Sequence, residues 1–438
     1  MPTNRNPRRD LNIVERPRTS LIPYANNART HSKSQVKKLA RSIERWGWTN
    51  PVIIDEHLTV LAGHGRLEAA ALLGIAMVPT IMLADMSDAD KRAYILADNV
   101  IADKAGYSKE LLAIELEGLI DIGFEVELTG FDTIEIDTLI GTDDGDEDSV
   151  ESIELPRDHA VPVSRLGDLW QIGDHRILCG DARERACYER LLAGDLAQMV
   201  FTDPPYNVPI AGNVSGLGRH VHGDFQMACG EMTDQQFSSS FLRPVLRNLA
   251  AHCAPGAIAF VCIDWRNAPQ LLDAADGVFA ELKNLIVWAK TNASMGTFYR
   301  SQHELIYAFK TSKGPHLNNF GLGEGGRHRS NLWTYPGANT FRKGRLKDLA
   351  EHPTVKPRKL VMDAILDVSK RGGLVLDAFA GAGTTLVAAA RTGRRGAAIE
   401  LDPKYVDLCV RNLAQETGAI ARLSTGETFE EIGARRQT

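Results

Sequence analysis

Residues 141–155 read GTDDGDEDSVESIEL, seven acids and no base. Like charges at that density repel one another and bury no apolar surface, so one hydrophobic core cannot run through them. The segment is read as a solvated linker, with an exposed acidic loop inside one domain as the alternative. A chain of 438 residues calls for two or three domains at roughly 150 residues each, and this break supplies the division. A 44% hydrophobic and 24% charged composition excludes a mostly disordered chain and a collagen-like or coiled-coil rod. No apolar run approaches the ~20 residues that cross a bilayer; Ala257 to Ile263 fits a buried strand. The N-terminus, MPTNRNPRRDLNIVERPRTS, is basic with no apolar stretch behind it and does not read as a secretory signal. Six cysteines form no CxxC pair, so free thiols and a cytoplasmic location are expected. The net charge of -6 argues against a surface that is basic throughout. The basic residues nevertheless gather at 310–350, where Lys310, Lys313, Arg327, Arg329, Arg342, Lys343, Arg345 and Lys347 face only Glu324 and Asp348. Such a window is a candidate for phosphate-backbone contacts, or else a solvated loop.

Two segments carry chemistry. In the first, the apolar Met199-Val200-Phe201 run leads into Thr202-Asp203-Pro204-Pro205-Tyr206-Asn207. Two successive prolines end strand pairing and fix the backbone. Neither offers an N–H, so the turn presents acceptors: the Asp203 carboxylate and a bare Pro204 carbonyl. Beside the Tyr206 ring they suit a planar group bearing an NH2, such as a nucleobase with an exocyclic amine. In the second, Gly373-Leu374-Val375-Leu376-Asp377 reads as a buried strand. The bend Ala378-Phe379-Ala380-Gly381-Ala382-Gly383 follows, then a helix from Thr384 to Ala390 and a strand from Arg395 to Ile399 closed by Glu400. A glycine bend under a helix start, with an acid ending the next strand, suits a nucleoside-containing cofactor. The dinucleotide fingerprint lacks its third glycine, Leu386 standing there, and no GK[ST] follows, so a cofactor without a pyrophosphate fits better.

These segments resemble the amino-methyltransferases of DNA in the circular order called the beta class, in which Asp-Pro-Pro-Tyr precedes the cofactor loop. The resemblance covers about 165–420. Its pieces are GDLWQIGDHRILCGDA, the Asp203 turn, AIAFVCIDW, VWAKTNASMGTFYRSQHELIYAFK, SNLWTYPG, HPTVKP and the Asp377 loop, in the expected order. It implies an α/β fold, a doubly wound, mostly parallel seven-stranded sheet in permuted order with one reversed edge-side strand. It implies S-adenosylmethionine as cofactor: Phe379, Gly381 and Gly383 around the methionine part, with Asp377 and Thr384 in the same loop. Glu400 would hold the ribose and Asp181 lie near the adenine ring, while Thr354 and Lys356 meet the methionine moiety. Asp203, Pro204, Pro205 and Tyr206 are the catalytic positions. Tyr299, Arg300, Gln302 and His303 resemble the family's target-side segment, and the basic window near 310–350, with Arg327, Arg329, Arg342 and Lys343, is the candidate target-recognition insert for phosphate contacts and groove reading. No metal is expected.

Upstream, Val36, Leu39, Ala40 and Ile43 space a helix over Ser34 to Gly47. Strands follow at Pro51 to Ile54 and Thr59 to Ala62, then Gly63-His64-Gly65-Arg66 and a helix from Leu67 to Leu73 closed by Gly74. A glycine turn entering a helix offers amides, with Arg66, to an anion. The order resembles the ParB/sulfiredoxin-like nucleotide-binding domain, a small α+β module whose corresponding turn contacts nucleotide phosphates. Partition proteins usually carry two arginines after the glycine and this chain has one. Sulfiredoxins carry a Cys there, and none precedes Cys179, which removes redox repair. A structural or DNA-docking use of the turn stands beside the nucleotide one. Two short helices are read between 111 and 140.

The resulting division is a basic tail at 1–17, the ParB-like domain at 18–140, the acidic linker at 141–160, the methyltransferase domain at 161–425 and a tail at 426–438. The function implied is site-specific methylation of a flipped base in double-stranded DNA, adenine N6 because Asp rather than Ser opens the Pro-Pro-Tyr turn. The alternatives are cytosine N4 methylation, a DNA-binding partition-type regulator with a non-catalytic methyltransferase half, and an RNA or protein acceptor. No membrane is involved. The resemblance allows a homodimer, and a cognate nuclease for restriction-modification is not readable from sequence.

Overall fold

The computed structural model describes residues 11–27, 29–104, 107–140, 161–207, 227–228, 230–291, 299–320, 329–337 and 356–436. The chain divides into two compact units, Met1–Ile140 and Gly141–Thr438. The segment read as a linker, 141–160, lies outside the described residues.

In the first unit four strands, β1 (Ile13–Pro17), β2 (Val52–Ile54), β3 (Val60–Ala62) and β4 (Met77–Met82), form a sheet in the order β1-β4-β2-β3. The pair β2/β4 is parallel, and β1/β4 and β2/β3 are antiparallel. The helix expected over 34–47 runs Lys33–Trp46. Its start is fixed by a capping box between Ser32 and Gln35, and Gly47 stops it at φ +77. The second helix begins three residues earlier than expected, at His64, with Gly63 at φ +102 as its cap. Gly63 alone is therefore the turn, and His64, Gly65 and Arg66 form the first helical turn. Strand β1 also shortens the basic tail expected at 1–17, because Ile13–Pro17 pairs with Met77–Met82. Helices Lys109–Asp121 and Thr133–Ile140 occupy the region read as two short helices, and helix Asp88–Lys104 precedes them.

The second unit is built on a sheet whose central strands are parallel: β8 (Cys253–Ile263), β7 (Ala197–Thr202), β12 (Leu374–Asp377), β13 (Arg395–Glu400) and β6 (His175–Cys179), in that order. On one side β10 (His303–Lys310) runs antiparallel to β8, β9 (Glu281–Lys290) antiparallel to β10, and β11 (Leu332–Tyr335) parallel to β9. On the other, β5 (Leu169–Ile172) and β14 (Ala421–Leu423) add antiparallel pairs. The class is the expected one, but the described sheet has ten strands rather than seven. The surplus lies at the edges, where strands of three or four residues give no periodicity to read.

Both faces are covered. Helix Arg358–Val368, buried from Leu360 to Val368, packs with Met199, Phe201, Phe260 and Trp288 on one side. Tyr188, Leu191, Phe237, Phe241 and Leu246 pack on the other. Burial on both faces is why β7 and β12 read as unbroken apolar runs rather than alternating ones.

Candidate active site

In a parallel sheet every strand delivers its last residue to the same edge, where α/β proteins place their ligands. Strand β6 leads into Asp181, β13 ends in Glu400, β12 leads into the Phe379–Gly383 bend and β7 into Asp203. The antiparallel strands contribute from opposite ends: register pairs Leu305 with Ile263 and His303 with Ala289, so the start of β10 and the end of β9 reach that edge too. This brings Glu304 to the Tyr206 hydroxyl (3.3 Å), with Lys290 on its other oxygen (2.5 Å).

The two motifs are joined beneath the edge. Thr202 Oγ1 donates to Asp377 Oδ1 (2.9 Å) and accepts from the Ala378 N–H (3.2 Å), while the Phe379 N–H donates to Asp377 Oδ1 (3.0 Å). Asp377 is 3% exposed, and burial pushes its carboxyl up to about 7. It was expected among the cofactor contacts; its observed contacts instead lock the bend to the neighbouring strand. Gly381 takes φ +50 with open space where a side chain would stand, and Gly383 takes φ +86 with Cys409 Sγ 3.0 Å from the place a Cβ would occupy. The first lets a ligand approach the backbone, and the second lets the helix from Thr384 sit on the helix that carries Cys409. Phe379 is part-buried with its ring 5.7 Å from Phe241.

Glu400 accepts from the Gly381 N–H (Oε2, 2.8 Å) and the Asp402 N–H (Oε1, 2.9 Å), and burial pushes its carboxyl up to about 7. Its backbone carbonyl accepts from the Gly180 N–H at 2.9 Å, which ties β13 to the turn carrying Asp181. Asp181 is partly buried, but its bonds to Arg183 hold the carboxyl below the usual range. A nucleoside with an amino-acid tail fits this set: open backbone at Gly381, an acid with spare lone pairs at Glu400 and a second acid at Asp181.

The Asp203–Asn207 turn is held from several sides. Tyr206 OH donates to Asp203 Oδ1 (2.5 Å), and Asn267 Nδ2 donates to the Tyr206 carbonyl (2.6 Å). Asn207, at φ +54, donates to the Met232 carbonyl and accepts from Gly230 and Met232 N–H groups. Pro204 is buried and Pro205 part-buried; among the described residues none donates to the Pro204 carbonyl.

Lys356 has partners that no motif predicted: its ammonium lies 2.5 Å from Asp203 Oδ2, 2.9 Å from Glu304 Oε2 and 3.0 Å from Tyr206 OH. Burial works against its charge, but the two carboxylates raise its pKa well above the lysine norm. Burial pushes Asp203 up, with Lys356 opposing. Glu304 is drawn down to about 2, the Lys356 and Lys290 charges outweighing its burial. Sequence reading missed Glu304 and Lys290; the HELIYAFK strand gave no hint of which end would meet the turn.

Arg329 departs from its expected place. Its guanidinium pairs with Asp363 (3.1 Å) and Asp367 (2.8 Å) and lies 4.6 Å from the Trp333 ring. Tied to two buried acids, it anchors helix Arg358–Val368 and is not placed as an exposed phosphate contact. Tyr299 and Arg300 are exposed just ahead of β10. Thr354, Arg327, Arg342 and Lys343, and most of the 310–350 window, lie outside the described residues.

In the first unit, Gly63, His64, Gly65 and Arg66 line a cleft of 490 Å3 with Asn27, Arg29, Gln35, Lys38, Asn99 and Thr129, among others. The Tyr24 N–H donates to His64 Nε2 (3.3 Å). Arg66 Nε is buried with no hydrogen-bond partner among the described residues.

The comparisons follow the same division. Residues 197–411 match the DNA methylase family, 110–166 the ParB-methyltransferase HTH domain and 5–100 the ParB N-terminal domain. The HTH match runs across the acidic segment. The chain is similar to the ParB-like nuclease domain-containing protein YnaK of Escherichia coli K12, 52% identical over 19% of this chain and 94% of that protein. It is also similar to the type II methyltransferase M2.DpnII of Streptococcus pneumoniae, 28% identical over 50% of this chain and 82% of the relative. Among solved structures it is similar to the M1.HpyAVI–SAM complex, 18% identical over 54% of this chain and 98% of that one, with a TM-score of 0.37. The chain thus carries a DNA methylase domain, with a ParB N-terminal domain and a ParB-methyltransferase HTH domain ahead of it.

Proposed function

We propose that the protein is a site-specific DNA methyltransferase acting on adenine N6, with S-adenosylmethionine as methyl donor. The observation that carries this reading is the Thr202–Asp377 bond, which joins the acceptor turn and the glycine bend at one edge of the sheet. When bound, S-adenosylmethionine supplies a methyl group activated by its sulfonium. Glu400 would accept from the ribose hydroxyls, Asp181 would lie at the adenine side, and the open backbone at Gly381 would admit the methionine part.

The chain's own residues deal with the base. An exocyclic amine is a weak nucleophile because its lone pair is delocalised into the ring. Hydrogen bonds from its two N–H groups to Asp203 and the Pro204 carbonyl would localise that pair and hold the amine in line for methylation, the surplus amine proton leaving to the Asp203 carboxylate or to water. Acceleration comes from positioning and fixed acceptors rather than from a covalent enzyme intermediate. A stacked base cannot reach the turn, so the target is flipped out of duplex DNA, with Tyr206 as its stacking face. Tyr299 and Arg300 stand on the target side. The same reading assigns the cleft at Arg66 to a phosphate-bearing ligand, because a buried guanidinium edge without a partner costs free energy until an anion meets it.

The test is incubation of the full chain with unmethylated duplex DNA and S-adenosylmethionine, then digestion to nucleosides and mass spectrometry. N6-methyladenine is expected, and Asp203→Ala abolishes it while leaving cofactor binding intact. N4-methylcytosine keeps the mechanism and overturns the base; no modified base at all refutes DNA as the acceptor.

A further inference from the structure

The carboxylate that must accept the amine is already bound by a cation. The Lys356 ammonium is shared between Asp203 Oδ2 at 2.5 Å and Glu304 Oε2 at 2.9 Å. Glu304 is held through its other oxygen by Lys290 Nζ at 2.5 Å, so cations and carboxylates alternate along a chain that sums to zero charge. The Lys356 side chain is 7% exposed, and its ammonium lies 5.5 Å from the Tyr206 ring and 5.8 Å from that of Trp288. An ammonium so far from water must keep a carboxylate partner, since an unpaired buried charge costs several kcal/mol.

These facts set a problem for base docking. Asp203 Oδ1 already accepts from Tyr206 OH and Oδ2 from Lys356. An entering amine competes with a charged donor, and a charged donor makes the stronger hydrogen bond. Yet Glu304 offers the same ammonium a second seat within one hydrogen-bond length. We propose that Glu304 is a positioning residue for base docking: it receives the Lys356 ammonium when the base amine takes Asp203 Oδ2. Lys356 thus guards the acceptor while the pocket is empty and releases it on substrate entry. The move draws a cation away from Asp203 and leaves its carboxylate a stronger acceptor when the amine needs one. The low pKa of Glu304, about 2, keeps the second seat charged at any working pH. This inference rests on the amine-methylation reading above.

The test compares kcat, KM for duplex DNA and cofactor Kd across pH for the full chain, Glu304→Gln, Lys356→Met, the double variant and Glu304→Asp. With Gln at 304 the ammonium has Asp203 as its one remaining carboxylate partner, and kcat falls roughly 10–100-fold with cofactor Kd within about twofold. That loss persists from about pH 6 to about pH 9, because Lys356 stays protonated throughout. Lys356→Met removes the cation that opposes the upward shift of Asp203, so its kcat is low in acid and climbs as pH rises. The double variant behaves like Lys356→Met alone, because without the ammonium the second seat has no task. Glu304→Asp keeps a carboxylate and recovers much of the turnover, which separates the proposal from a folding defect. The proposal is overturned if Glu304→Gln turns over like the unsubstituted protein, if the two losses multiply in the double variant, or if cofactor binding falls in step with kcat. If the unsubstituted chain transfers no methyl group to DNA bases, the amine-methylation reading itself fails.

Discussion

Replacing Thr202 by valine keeps the shape of the side chain and removes one hydroxyl, which makes it a direct probe of the joint between the two halves of the site. That hydroxyl donates to the Asp377 carboxylate at 2.9 Å and accepts from the Ala378 N–H at 3.2 Å, at a residue 1% exposed. Loss of a hydrogen bond to a charged acceptor costs about 1.5–3 kcal/mol, and an orphaned buried N–H about 1–3 kcal/mol. The two overlap, because Asp377 keeps its bond from the Phe379 N–H, so a net loss of about 2–4 kcal/mol is expected. At about 2–4 °C per kcal/mol for a large domain, the methylase unit should melt about 4–16 °C lower. The measurement belongs near pH 8, where Asp377, with its pKa pushed up to about 7, is ionised. Thr202 adjoins Asp203, so kcat should fall by more than cofactor affinity does. A Thr202→Val protein that melts within about 1 °C of the unsubstituted chain and turns over normally would refute the claim that this bond couples turn and bend.

Two further outcomes follow from the same geometry. Burial pushes Glu400 up to about 7, and only its ionised form accepts from both ribose hydroxyls. Cofactor affinity should therefore tighten as pH rises through about 7 and weaken below it, and Glu400→Gln should flatten that slope; calorimetric titration across this range checks it, and a flat profile in the unsubstituted chain sinks the assignment. Arg66→Ala, which removes a part-buried cation from the cleft of the first unit, should raise KM for duplex DNA several-fold without altering kcat; steady-state kinetics at fixed salt read this, and an unchanged KM removes the cleft from DNA docking.

The sequence reached further into the chemistry than into the surroundings. Asp203-Pro204-Pro205-Tyr206 and the Phe379–Gly383 bend were legible because each is a short run whose backbone is set by its own residues: proline without an N–H, glycine at positive φ, an apolar stretch feeding both. The helix at Lys33–Trp46 was legible for the same reason, since its capping box and stop are local. The basic window at 310–350 was legible as composition, but composition does not separate Arg329, held by Asp363 and Asp367, from a cation facing a phosphate. Asp377 likewise reads as a ligand contact by position, while its contacts in the structure are those of a buried fastener.

What the amino-acid sequence determined by itself is the set of groups that accept, stack and bend, because those depend on residue type and on neighbours one to four positions away. Only the tertiary structure decided which groups face one another. Lys356 meets Asp203 across 153 positions, and Glu304 meets Tyr206 across 98. Those meetings follow from strand order and direction: parallel β7 and β12 end at the edge where antiparallel β10 begins. Strand order is set by how whole elements bury their apolar faces, a sum over the core that no short run of residues contains.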